Sequence, residues 1–159
     1  MLPRIGRASM KPSASSWATT PGIRRSMQHN RPRDTSTEVC IRSALHKAGL
    51  RFFKHRRPLQ GLRCEPDILF PGARLAVFVD GCFWHRCPEH GSVPRANGDW
   101  WRAKLEANQA RDKRNDEALR EAGWTVLRVW EHQAVPEVVD EVSRLVRTLT
   151  SWGSSVGRR

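Results

Sequence analysis

Leu75-Ala76-Val77-Phe78-Val79-Asp80-Gly81-Cys82-Phe83-Trp84-His85 is the stretch on which the reading of this chain turns. Its first six residues are almost wholly apolar and show no alternation. A run of that kind fits a central strand covered on both faces. The loop that follows, Gly81-Cys82-Phe83-Trp84-His85-Arg86-Cys87-Pro88-Glu89-His90, holds two thiols, two imidazoles and two large aromatic rings.

Working outward, Pro71-Gly72 turns the chain between this strand and an earlier one over Pro66 to Phe70. Leu50 to His55 is expected as a further strand. Before it, Thr35 followed three residues later by Glu38 has the form of a capping box, and Gly49 fits a helix stop. On the other side, a long helix is expected from Asp99 to Ala122, closed by Gly123. Trp124 to Trp130 then reads as a strand rich in β-branched and aromatic residues. A strand, a crossover helix and a strand imply a parallel pair. Pro136 opens a last helix with Val138, Val139, Val142, Leu145, Val146 and Leu149 on or near one face. The expected order is α-β-β-β-α-β-α, an α/β mixed sheet flanked by helices. Residues 1–30 are expected to form a disordered basic arm, 31–150 the folded domain and 151–159 a flexible tail.

The 159 residues carry 28 Lys+Arg against 16 Asp+Glu, a formal net charge of +12. That balance points to a polyanion, with nucleic acid first, although a purely structural RNA-binding protein would share it. The arm either lies along phosphates or serves as a solubilising tail. The sequence has no apolar run long enough for a bilayer and no secretory pattern, so a cytoplasmic, nucleoid-associated protein with no membrane partner is expected. Four cysteines in such a compartment favour metal binding or free thiols over disulfides.

Cys82, Cys87 and His90 can supply three corners of a tetrahedral Zn²⁺ site. The fourth is either His85 or His132, which follows Trp130-Glu131 at the end of the last strand. A parallel sheet would bring His132 beside the loop, and that choice leaves His85 free for proton transfer. The hairpin sets Asp67 near the strand end where Val79 and Asp80 emerge, a hard-oxygen setting suited to Mg²⁺. An Asp after Pro also commonly just turns the chain. In the long helix, Trp101, Leu105, Asn108, Asp112, Asn115 and Leu119 share one stripe, so Asp112 faces inward and needs a partner. His85 is the candidate, unless the helix rotates Asp112 out to solvent. Phe83, Trp84 and Trp101 either form an apolar wedge for a base step or pack in the core.

These motifs resemble the very-short-patch repair (Vsr) mismatch endonucleases. The likeness is carried by Arg33-Asp34-Thr35-Ser36-Thr37-Glu38, Pro66-Asp67, Gly81-Cys82-Phe83-Trp84-His85, Arg111-Asp112 and Gly123-Trp124-Thr125-Val126-Leu127-Arg128-Val129-Trp130-Glu131. The resemblance implies a restriction-endonuclease-like, zinc-stabilised fold. It implies Mg²⁺-dependent nicking of double-stranded DNA 5′ of the thymine in a T:G mismatch, where 5-methylcytosine has deaminated, and hence a functional link to a DNA cytosine methyltransferase. A monomer is expected. By position, Asp67 resembles the metal-binding aspartate, the Val79 carbonyl a second metal ligand, His85 the general base and Asp112 its acidic partner. Glu38 resembles the helix glutamate near the metal water, and Phe83, Trp84 and Trp101 the intercalating aromatics. Cys82 resembles a zinc cysteine. The familiar pattern has histidine where this chain has Asp80, a substitution that either adds a candidate metal ligand or shifts the roles of the two groups. It has a different order of ligands where Cys87, His90 and His132 stand. A restriction-type or mobile-element nuclease of the same fold, or a non-catalytic zinc-stabilised DNA-binding module, are the rival expectations.

Overall fold

The computed structural model describes residues 33–95 and 97–156, with side chains through Ser151. The expected basic arm over 1–30 lies outside the described residues. Among the described residues, six elements build the fold: α1 (Ser36–Lys47), β1 (Ile68–Phe70), β2 (Leu75–Asp80), α2 (Gly98–Glu121), β3 (Thr125–Trp130) and α3 (Val135–Val156). A single 3-10 turn, Pro71–Ala73, joins β1 to β2.

The sheet order is β1-β2-β3. β1 and β2 run antiparallel, with Ile68 opposite Val77. β2 and β3 run parallel, from Leu75 opposite Thr125 to Asp80 opposite Trp130. The central strand is covered on both faces, as its unbroken apolar run requires. Leu75 and Val77 point to one side, where they meet Ile41 and Leu45 of α1 and Val138 and Val142 of α3. Ala76 and Phe78 point to the other, against Leu119 of α2, Trp124 and Cys64. Leu45, Leu75 and Leu119 are fully buried, each worth about 1.5–3 kcal/mol of apolar transfer.

The strand expected over Leu50 to His55 is not formed, which reduces the order to α-β-β-α-β-α. Phe53 alone bridges Leu69, exchanging both backbone bonds at 2.9 and 2.8 Å. The ladder cannot extend either way. The next pair outward would need an amide hydrogen from Pro71, which has none. In the other direction His55 adopts φ 49°, outside the extended region.

α1 starts where the capping box places it. Thr35 Oγ1 accepts from the Glu38 amide at 3.3 Å, and Glu38 Oε2 accepts from the Asp34 amide at 2.9 Å. α2 stops at Gly123, whose φ of 79° favours glycine, with the Trp124 amide closing back on Leu119 O at 2.9 Å. α3 runs on to Val156, through the beginning of the stretch expected as a tail. No proline interrupts it there, and the Thr150 and Ser151 hydroxyls donate to the Val146 and Thr148 carbonyls at 2.7 Å. Among the described residues no helix is long and apolar enough to cross a membrane.

Candidate active site and metal-binding loop

The loop leaving β2 winds on itself. The His85 amide donates to Gly81 O, Cys87 to Cys82 O and Gly91 to Cys87 O, at 3.1, 2.9 and 2.7 Å. Gly91 is needed for this closure, since a Cβ there would lie 2.4 Å from Cys87 O. The parallel register then explains the fourth corner. With Asp80 opposite Trp130, the chain two residues on sets Cys82 beside His132. Glu131 pins the junction by accepting from the Cys82 amide at 2.7 Å.

Cys82, Cys87, His90 and His132 bring one ligand atom each within 4.8 Å of one another. Cys82 Sγ lies 3.1 Å from His132 Nδ1, and Cys87 Sγ lies 3.7 Å from His132 Nδ1 and 3.9 Å from His90 Nδ1. A regular tetrahedral zinc site has sulfur–nitrogen edges of about 3.6 Å, so this two-thiol, two-imidazole set fits that ion. Glu89 Oε2 stands 3.6 Å from His132 Nε2, where a carboxylate commonly orients a ligating imidazole. All four cysteines are free thiols. Burial, and then the adjacent Cys87 thiol, push the Cys82 thiol up to about 11. A bound cation would reverse that cost.

His85 is not drawn into the thiol cluster. Its Nδ1 sits 2.8 Å from Asp112 Oδ2 on α2 and 3.7 Å from Asp80 Oδ1. Donation from Nδ1 to Asp112 leaves Nε2 as the free basic nitrogen, a tautomer assigned from this bond. Burial raises the Asp112 carboxyl, but the bond from His85, the His85 charge and Arg128 outweigh it and hold it below the usual carboxylate range. Asp67, just before β1, accepts from the Val79 amide through Oδ2 at 2.8 Å. Burial pushes its carboxyl up to about 6. The Val79 bond and His55 pull against this, while Glu38 and Asp80 add to it. A partly desolvated carboxylate crowded by two acids is a setting that a hard cation relieves, so Mg²⁺ fits the donor chemistry here.

Glu38 is buried and already engaged by Asp34, Thr35 and Arg42. Asp80 is buried too, with both oxygens taken by Arg128 Nη1 at 2.8 and 2.9 Å. The sequence reading missed Arg128 and its other partner, Asp116, which accepts from Nε and Nη2 at 3.0 and 2.9 Å. An arginine inside an otherwise apolar strand, and a carboxylate one helical turn after Asp112, were the available signals. Asp116 is buried where the stripe was expected to continue through Asn115.

The aromatics form one cluster. Ring centroids are 5.0 Å apart for Phe83–Trp84, 5.3 Å for Phe83–Trp101 and 6.0 Å for Trp84–Trp101. Phe83 and Trp84 are half-buried, Trp101 is only 3% exposed and its neighbour Trp100 is 42% exposed. Trp101 is therefore the floor of the cluster.

Proteins of similar sequence are DNA endonucleases. Residues 19–89 match the family model described as DNA mismatch endonuclease Vsr. The type II nicking enzyme V.NaeI of Lentzea aerocolonigenes is 42% identical over 156 residues, covering 94% of this chain and 92% of that protein. The type II nicking enzyme V.XorIIP of Xanthomonas oryzae pv. oryzae is 47% identical over 107 residues, 66% of this chain and 76% of its own. The DNA mismatch endonuclease Vsr of Escherichia coli is 37% identical over 102 residues, 62% of each chain. With the match to V.NaeI running nearly end to end, the chain belongs to the Vsr family of DNA endonucleases.

Proposed function

We propose that this chain is a Mg²⁺-dependent endonuclease that nicks one strand of duplex DNA 5′ of the thymine in a T:G mismatch. The observation that carries the reading is the His85–Asp112 pair, an imidazole fixed at 2.8 Å from its carboxylate and 3.7 Å from Asp80, at the end of the strand whose Val79 amide holds Asp67. Asp112 sets the ring's tautomer, so Nε2 takes the proton from the attacking water. Asp67 and the Val79 carbonyl would hold magnesium, with Glu38 on its water. The ion would supply positive charge to the phosphoryl oxygens. In this reading Asp80, engaged on both oxygens by Arg128, belongs to the ion network around strand β3.

Cys82, Cys87, His90 and His132 would hold a structural zinc that keeps His85 and the two exposed-side rings in register. Phe83 and Trp84 are the rings free to enter a base step, over the Trp101 floor, at a cost of about a few kcal/mol per unstacked step. The net charge of +12 supplies backbone affinity that falls with salt. We propose that the enzyme acts as a monomer, in the cytoplasm and at the nucleoid, beside a DNA cytosine methyltransferase whose product deaminates to thymine. V.NaeI and V.XorIIP are type II nicking enzymes, which supports a one-strand cut and also favours a second reading, a nicking nuclease serving restriction.

Strand-specific cleavage of end-labelled duplexes in Mg²⁺ separates these. The proposal expects a nick in the thymine strand of a T:G duplex and none in its matched counterpart. Equal cutting of both removes the mismatch reading, and no cutting of either removes the nuclease.

A further inference from the structure

His85 Nδ1 has one hydrogen to give and two carboxylates within reach, Asp112 at 2.8 Å and Asp80 at 3.7 Å. Both are aspartate carboxyl groups, and Asp80 is the more deeply buried. Desolvation alone would make Asp80 the hungrier acceptor. The difference between them lies in Arg128. Its Nη1 occupies both oxygens of Asp80, while its nearest approach to Asp112 is 4.0 Å. The guanidinium cannot drift, because Asp116 grips its other edge through Nε and Nη2 and the Phe78 ring lies 4.7 Å beneath it. A fork held at two edges and stacked on a ring is a fixed object, as a lysine ammonium would not be.

We infer that Arg128 is a positioning residue for the candidate base: by engaging both Asp80 oxygens and balancing their charge it holds that carboxylate away from the imidazole and leaves Asp112 as the acceptor for Nδ1. The ring orientation that presents Nε2 to water is thus chosen from strand β3. The inference rests on the proposed role of His85 for its catalytic meaning, although the hydrogen-bond choice itself does not.

The test uses Arg128→Leu, Asp80→Asn and the double variant, each checked for folding by circular dichroism. In Arg128→Leu, Asp116 retains Arg120 at 3.6 Å, so Asp80 is the carboxylate set loose. If Arg128→Leu is insoluble, Arg128→Gln takes its place. The expected nicking rate at saturating DNA falls by about tenfold or more, with KM within about twofold, because the loss is in the reacting state. Adding Asp80→Asn restores at least about threefold of the rate, since the competing acceptor is gone. If Arg128 only held the fold together, any rescue by Asp80→Asn would follow the recovered unfolding free energy measured on the same variants; rates that track stability alone, or a double variant no faster than the single, overturn the inference.

Nitrogen-15 NMR of labelled histidine reads the same choice without catalysis. In the wild type the His85 Nδ1 resonance moves on Asp112→Asn and hardly on Asp80→Asn. In the Arg128→Leu background Asp80→Asn is expected to move it. An unchanged pattern of responses sinks the inference even in a protein that nicks. A wild type that fails to nick, but shows the expected resonances, removes the functional reading and leaves the positioning role standing.

Discussion

Replacing Asp67 by asparagine is expected to stabilise the metal-free protein by an amount that grows between about pH 4 and about pH 6 and stays constant above. Burial is the main cause that pushes this carboxyl up to about 6 in the fold, against an ordinary 3.8. The folded state therefore prefers the protonated form. The resulting stabilisation is fully present below the ordinary value and is lost as pH rises through about 6. At about 1.4 kcal/mol per pH unit the gap is worth about 3 kcal/mol, trimmed to about 2 by solvent reaching the part-exposed oxygens. Asparagine keeps an oxygen for the Val79 amide and carries no charge to desolvate. Urea unfolding in magnesium-free buffer should show Asp67→Asn about 2 kcal/mol more stable at pH 8 and indistinguishable from wild type near pH 4. Adding Mg²⁺ should close the gap at pH 8 by stabilising the wild type alone. A wild type at least as stable as the variant at pH 8, or a difference that ignores pH, would refute the reasoning.

Zinc should be recovered at one ion per chain by elemental analysis. Its removal by chelator, or Cys87→Ser, should lower the melting temperature sharply, and a fully folded zinc-free wild type would exclude the site. The aromatic cluster should divide in two. Trp84→Ala should impair nicking of mismatched DNA with a small change in unfolding free energy. Trp101→Ala, removing a ring that is 3% exposed, should cost about 3–5 kcal/mol of stability, and equal stability losses for the two would contradict the floor-and-wedge arrangement.

The sheet was legible where one local signal sufficed. Leu75 to Phe78 could only be a doubly covered strand, and the α2 crossover could only join parallel neighbours. Parallel pairing in turn delivered His132 to Cys82 across a separation of 50 residues. The strand expected over Leu50 to His55 failed because the decisive information was non-local: Pro71, on the neighbouring strand's far end, withholds the amide needed to continue the ladder. The polar interior was the other gap. Asp80, Asp116 and Arg128 are each a charged residue that sequence reasoning places outside or at a metal, and only their mutual geometry makes burial affordable. Trp101 illustrates a conflict that the sequence did contain. It was set on the same inward stripe as Leu105 and also treated as a wedge, and the structure keeps it on the stripe.

The most direct test is the single-turnover nicking rate of His85→Ala on a T:G duplex, with zinc content measured on the same preparation. The account predicts a rate lower by about 10²–10⁴-fold with one zinc per chain retained. A rate within a few-fold of wild type would leave residue 85 without a part in hydrolysis, and loss of the zinc on this substitution would make the imidazole a ligand rather than a base.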